Sequence, residues 1–158
     1  MLTANVRVPD REVLDDGVLS AVKIHGTTGL KFLLRPETLC VHRLPPDWPV
    51  DFDKLRSASW YSVTHTGEEV SVIAPQEIDF GFGEREPSWS CLRIADKLDF
   101  GLIGVIAEVS RVLADAGVGI FTVSTYDTDY ILVKSVDIDT AVCALSEAGH
   151  VVVSGQNT

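Results

Sequence analysis

The chain has 158 residues, 46% of them hydrophobic, and carries 13 Lys and Arg against 23 Asp and Glu for a formal charge of −10. Such a composition supports one ordinary domain or two compact units sharing a core, and argues against disorder. The acidic balance argues against general binding to nucleic acid or anionic lipid, leaving small cationic or zwitterionic ligands open, and no apolar run reaches the roughly 18 residues of a spanning helix.

The first residues, "MLTANVRVPDREV", lack the charged, apolar and small blocks of a secretory signal, so the cytoplasm is the expected address. Residues 1–35 stand apart as an N-terminal extension, where Val13, Leu14, Val18 and Val22 line one side of an amphipathic helix interrupted by Gly17. "TLCVHRL" then reads as a strand that Pro45 and Pro46 end, and "DFDKLRSA" as a short helix. "WYSVTHT" and "EVSVIAP" flank the turn "GE" as a hairpin, and "PQEIDFGFGEREP" is a glycine- and proline-punctuated connector.

From residue 90 the periods sharpen. "SCLRIA" supplies an opening strand, and Ile103, Val105, Ile106, Val109, Val112, Leu113 and Ala116 recur at the spacing of one helix face, over 103–116, with Gly117 as the stop. "VGIFTVSTY" and "YILVKS" are β-branched and aromatic, and the polar "DTD" between them makes them an antiparallel hairpin. A second helix follows, with Asp137 or Asp139 at its N-cap and Ala141, Val142, Leu145 and Ala148 on one face, and "HVVVS" closes as a strand. The order strand, helix, strand, strand, helix, strand is the ferredoxin-like arrangement, an antiparallel sheet with helices on one face. The first half repeats it in worn form without the second helix, giving an α+β chain of two such units: residues 36–86, trimmed, and residues 87–158, intact.

The stretch "LDFGLIGVIAEVSRVLADAGVGIFTVSTYDTDYILV", residues 98–133, closely resembles the second domain of small bacterial tandem ACT-domain proteins, which are similar to the CASTOR-type arginine sensors of animals. The resemblance continues more loosely through "VHRLPPDWP", "YSVTHTGEEVSVIAP" and the second helix. It implies a non-catalytic regulatory protein that binds a free amino acid, cationic ones included, where two domains or subunits meet, and a homodimer. A free amino acid needs a positive dipole end opposite a negative group. The segment "LDFGLIG", Asp99, Phe100, Gly101, Leu102, Ile103 and Gly104 within it, leads into a helix whose first N–H groups can hold a carboxylate, and Gly101 and Gly104 allow close approach. Across the sheet Thr125, Tyr126 and Asp129 reach the rim, Asp129 ready to pair with an ammonium or guanidinium. In the animal sensors an aspartate matching Asp129 and an aromatic matching Tyr126 line the arginine pocket. Relatives commonly carry Ser and Thr where this chain has Gly101 and Ile103, which keeps a second reading open, an interaction or dimerisation module with a vestigial site.

Blander roles compete for the same residues. Asp127 fits simple turn chemistry and Asp99 a helix cap. The three cysteines, Cys40, Cys91 and Cys143, read as small core residues; Cys40 and His42 share a strand face, but no metal or cofactor is expected. "GFGERE" lacks the third glycine of a dinucleotide fingerprint and reads as a loop, and Trp48 between prolines pins the connector. No nucleophile with a positioned base appears, so the expectation is not an enzyme.

Overall fold

The computed structural model describes residues 29–155. The helix expected through Val13 and Val22 lies outside them. Among the described residues eight strands form one sheet: β1 (Lys31–Leu34), β2 (Leu39–Leu44), β3 (Ser62–His65), β4 (Val70–Pro75), β5 (Glu84–Ile94), β6 (Ile120–Ser124), β7 (Asp129–Lys134) and β8 (Val151–Ser154). Among the described residues the helices are α1 (Phe52–Leu55), α2 (Val105–Asp115) and α3 (Ile138–Glu147), with a tight helical turn at Ser135–Asp137 before α3.

The sheet divides at β5, an 11-residue strand that serves both units. Its first half pairs with β2, giving the order β3, β4, β2, β5; its second half pairs with β7 on one side and β1 on the other, giving β6, β7, β5, β1, β8. The first order is ferredoxin-like and the second is so with β1 inserted between β5 and β8, and the first unit lacks a helix between β4 and β5, as the glycines and prolines there foretell. Two details depart from expectation. Residues 84–87, read as connector, are strand, because their ladder to β2 satisfies the backbone and Arg43 draws Glu84 in at 3.0 Å. Residues 31–34, set apart with the N-terminal extension, are a strand wedged between β5 and β8, so the sheet is not wholly antiparallel: β1 runs parallel to β8.

Strand alternation sorts the core into three clusters. On one face of the second unit, Phe32, Leu92, Ile94, Ile131 and Val133 meet Val105, Val109 and Leu113 of α2 and Ala141 and Leu145 of α3. In the first unit Leu44, Val70, Val72 and Ala74 pack on Leu55 of α1 and on Phe80. The opposite, helix-free faces fold toward each other over Leu39, Ile73, Cys91 and Leu132, with the Trp60 ring packed at a 30° tilt on Tyr130, centroids 4.9 Å apart. Burial pushes the Cys91 thiol up to about 12. Cys143 departs from its reading as core: it is exposed on α3, between the positions that carry the buried Ala141 and Leu145. Trp48 does pin the connector, stacking on Phe82 at 5.0 Å.

Candidate functional site

The loop from Lys97 to Gly104 and the turn from Thr125 to Asp129 lie side by side because β5 and β7 are neighbours, Arg93 opposite Tyr130. Backbone bonds join them: the Leu98 N–H donates to the Asp127 carbonyl at 2.8 Å. Side chains reinforce the join, with Lys97 Nζ 2.7 Å from Asp127 Oδ1 and 5.3 Å from the Tyr126 ring centre. Phe100 meets Tyr126 edge-on at 5.2 Å. Below them the buried Thr128 hydroxyl donates to the Ile94 carbonyl at 2.9 Å, tying the turn to the end of β5.

Asp99 does not cap α2. It stands before the helix, and its carboxylate accepts from the Gly101 N–H at 2.7 Å while its carbonyl accepts from Leu102. The N-cap is Gly104 instead, in the left-handed region at φ 88, which a side chain would resist. With no side chain to cap the helix there, its leading N–H groups keep their anion-holding character, and Glu108 makes the first helical bond, to the Gly104 carbonyl. The helix therefore starts at Val105, two residues later than its apolar period suggests. Ile103 is 80% exposed, outside the helix face it was assigned to.

Phe100 at 77% and Tyr126 at 73% exposure complete, with Ile103 and the partly exposed Leu102, an apolar patch on the surface at this end of α2. Asp129 begins β7 opposite Ser124 and is half-buried. Alternation puts it on the face of Ile131 and Val133, the face that α2 covers, rather than on that of Tyr130. Thr125 is engaged inside the turn, its hydroxyl donating to the Thr128 carbonyl at 2.8 Å. Lys97 and Thr128 were missed at sequence level. Lys97 carries the only cationic charge of the segment "ADKLDFGLIG", a usable signal beside Asp96 and Asp99; the burial of Thr128 leaves none. Among the described residues no group of His, Cys, Asp and Glu is placed to hold a metal ion, and no described helix is long and apolar enough to cross a membrane.

An α+β sheet with helices on one face of each unit, and a helix-leading loop latched to a polar turn, defines a ferredoxin-like tandem with its candidate site in the second unit. Residues 84–147, from the start of β5 to the end of α3, match the ACT domain family. Among solved structures the chain is similar to the Agobacterium tumefaciens protein Atu0741, with a TM-score of 0.74 and 26% identity over 81% of this chain and 95% of that one. It is also similar in fold to VC0802 of Vibrio cholerae, a protein of unknown function and possible transport protein, at TM-score 0.59 and 18% identity over 77% of this chain and 91% of that one. The ligand-free regulatory subunit of aspartate kinase from Thermus thermophilus aligns at TM-score 0.55 and 15% identity, over 78% of this chain and 99% of that one. No curated protein matches the chain.

Proposed function

We propose that this protein is a non-catalytic regulatory protein that binds a free amino acid between the loop 98–104 and the rim 125–129, the site being closed by a second copy in a homodimer. The observation that carries the reading is the latch itself: the loop that leads into a helix start without a side-chain cap is bonded to the turn at Asp127, and the half-buried Asp129 begins β7 just after that turn. A carboxylate of the ligand would take the N–H groups of Gly104 and Val105, and its ammonium or a side-chain cation would take Asp129. Phe100, Ile103 and Tyr126 would be covered by the partner. The match of residues 84–147 to the ACT family and the likeness to a kinase's regulatory subunit support a regulatory rather than a catalytic role.

Calorimetry of the purified chain against every proteinogenic amino acid tests this, with Asp129→Asn as the companion variant. The expected outcome is binding of a cationic amino acid, weakened at least about tenfold in the variant, since a charge-assisted bond contributes roughly 1.5–3 kcal/mol. Silence across the panel from a folded, dimeric sample removes the support. It would favour the second reading, an interaction module with a vestigial site, which the exposure of Phe100, Ile103 and Tyr126 also fits.

A further inference from the structure

Each unit buries one histidine whose ring nitrogens have no hydrogen-bond partner among the described residues. His42 lies on β2 in the first unit, with the Phe80 ring edge-on at 5.0 Å. The charged groups that act on it are Arg85 of β5 and Asp79 of the connector, which hold each other at 3.3 Å, so their fields at the imidazole oppose one another. His150 lies between α3 and β8 in the second unit, edge-on to Phe32 of β1 at 5.7 Å. Its backbone N–H donates to the Leu145 carbonyl, and the charged group that acts on it is Glu108 of α2, whose carboxylate is already held by Arg111 at 2.9 Å.

A neutral imidazole fills such a place at modest cost, whereas a charged one there has neither water nor a free carboxylate. We propose that His42 and His150 are an acid-sensitive device of this fold, one in each unit, that weakens the whole sheet as soon as the solution is acidic enough to charge histidine. Burial, the largest cause at both, holds the two rings below the ordinary histidine range; Arg85 adds to this at His42, while Asp79 there and Glu108 at His150 oppose it. The sign follows from linkage. The folded chain takes up these protons less readily than the unfolded one, so the stabilisation is complete above the unfolded value near 6.5. It falls as pH drops below that value and levels off beneath the lowered folded values.

Urea unfolding of the full chain between about pH 7.5 and about pH 5 stays above the ordinary carboxylate range and reads the effect. The unfolding constant is expected to rise by up to about tenfold per pH unit for each histidine below about pH 6.5. His42→Leu combined with His150→Leu is expected to flatten that slope, and His65→Gln, on the exposed ring whose Nε2 lies 3.0 Å from the Pro46 carbonyl, to leave it unchanged. If the double variant does not fold, NMR titration of the two imidazoles in the native chain decides: resistance to protonation below the ordinary range supports the device. Either ring titrating at or above that range in the folded chain overturns it, as does a double variant that keeps the native slope.

Discussion

Thr128 shows how one hydroxyl serves both fold and site. It is buried beneath the turn, donates to the Ile94 carbonyl at 2.9 Å, and lends its own carbonyl to the N–H and hydroxyl of Thr125. Thr128→Val keeps the shape and removes the donor, leaving a buried carbonyl short of a partner. A loss of about 1–3 kcal/mol in urea unfolding is expected, and Thr128→Ser, which keeps the hydroxyl, should recover most of it. Equal midpoints for Val and the native residue would mean that the hydroxyl contributes nothing to the latch. Nothing in the local pattern announces this role, because a threonine between two aspartates in a turn reads as solvated. Asp127 was legible as turn chemistry, but its ion pair with Lys97 depends on the neighbouring strand and so on tertiary structure.

At the scale of elements, what was legible is what local periodicity encodes. The order of strands and helices after residue 90, the hairpin of β3 and β4 and the missing second helix of the first unit all follow from apolar spacing and from Gly and Pro. The two departures are both strands whose stability is not local. β1 has four residues, and "EREP" at the start of β5 carries three charges; each is a strand because partners on its flank complete its hydrogen bonds. β5 crosses from one unit to the other through an irregular register, Leu39 opposite Trp89 but Val41 opposite Glu86. There Ser88 adopts φ 66 and its N–H donates to Gln76 Oε1 at 2.8 Å. A left-handed serine costs roughly 1 kcal/mol, and the bond uses only its backbone. Ser88→Gly is therefore expected to raise stability by up to about 1 kcal/mol and Ser88→Val to lower it by more, since a β-branched residue tolerates that region worst. A thermal denaturation series checks the ranking Gly above Ser above Val, and any other order speaks against strain at the crossing.

At the scale of the molecule the two units lend each other strands. The first half of β5 finishes the first unit's sheet, and β1, which leads directly into β2, sits inside the second unit's sheet. Neither sheet is complete without chain from across the boundary, and the helix-free faces add a shared core at Leu39, Ile73, Cys91 and Leu132. Unfolding is thus expected to be a single transition. Two signals separate the units: Trp48 fluorescence, isolated by replacing Trp60 and Trp89 with Phe, reports the first, and helical circular dichroism reports mainly α2 and α3 of the second. In that background the two denaturation curves should coincide. Phe32 offers the sharper test, because its fully buried side chain on β1 packs in the second unit's cluster. Phe32→Ala should cost about 3–5 kcal/mol, the range for emptying a buried aromatic site. If the sheets are one cooperative body, the Trp48 curve must move down with the helical signal by the same amount. A variant in which the helical signal shifts and the Trp48 curve stays in place would show two units that fold separately, and the shared strands would then be a matter of adjacency rather than of stability.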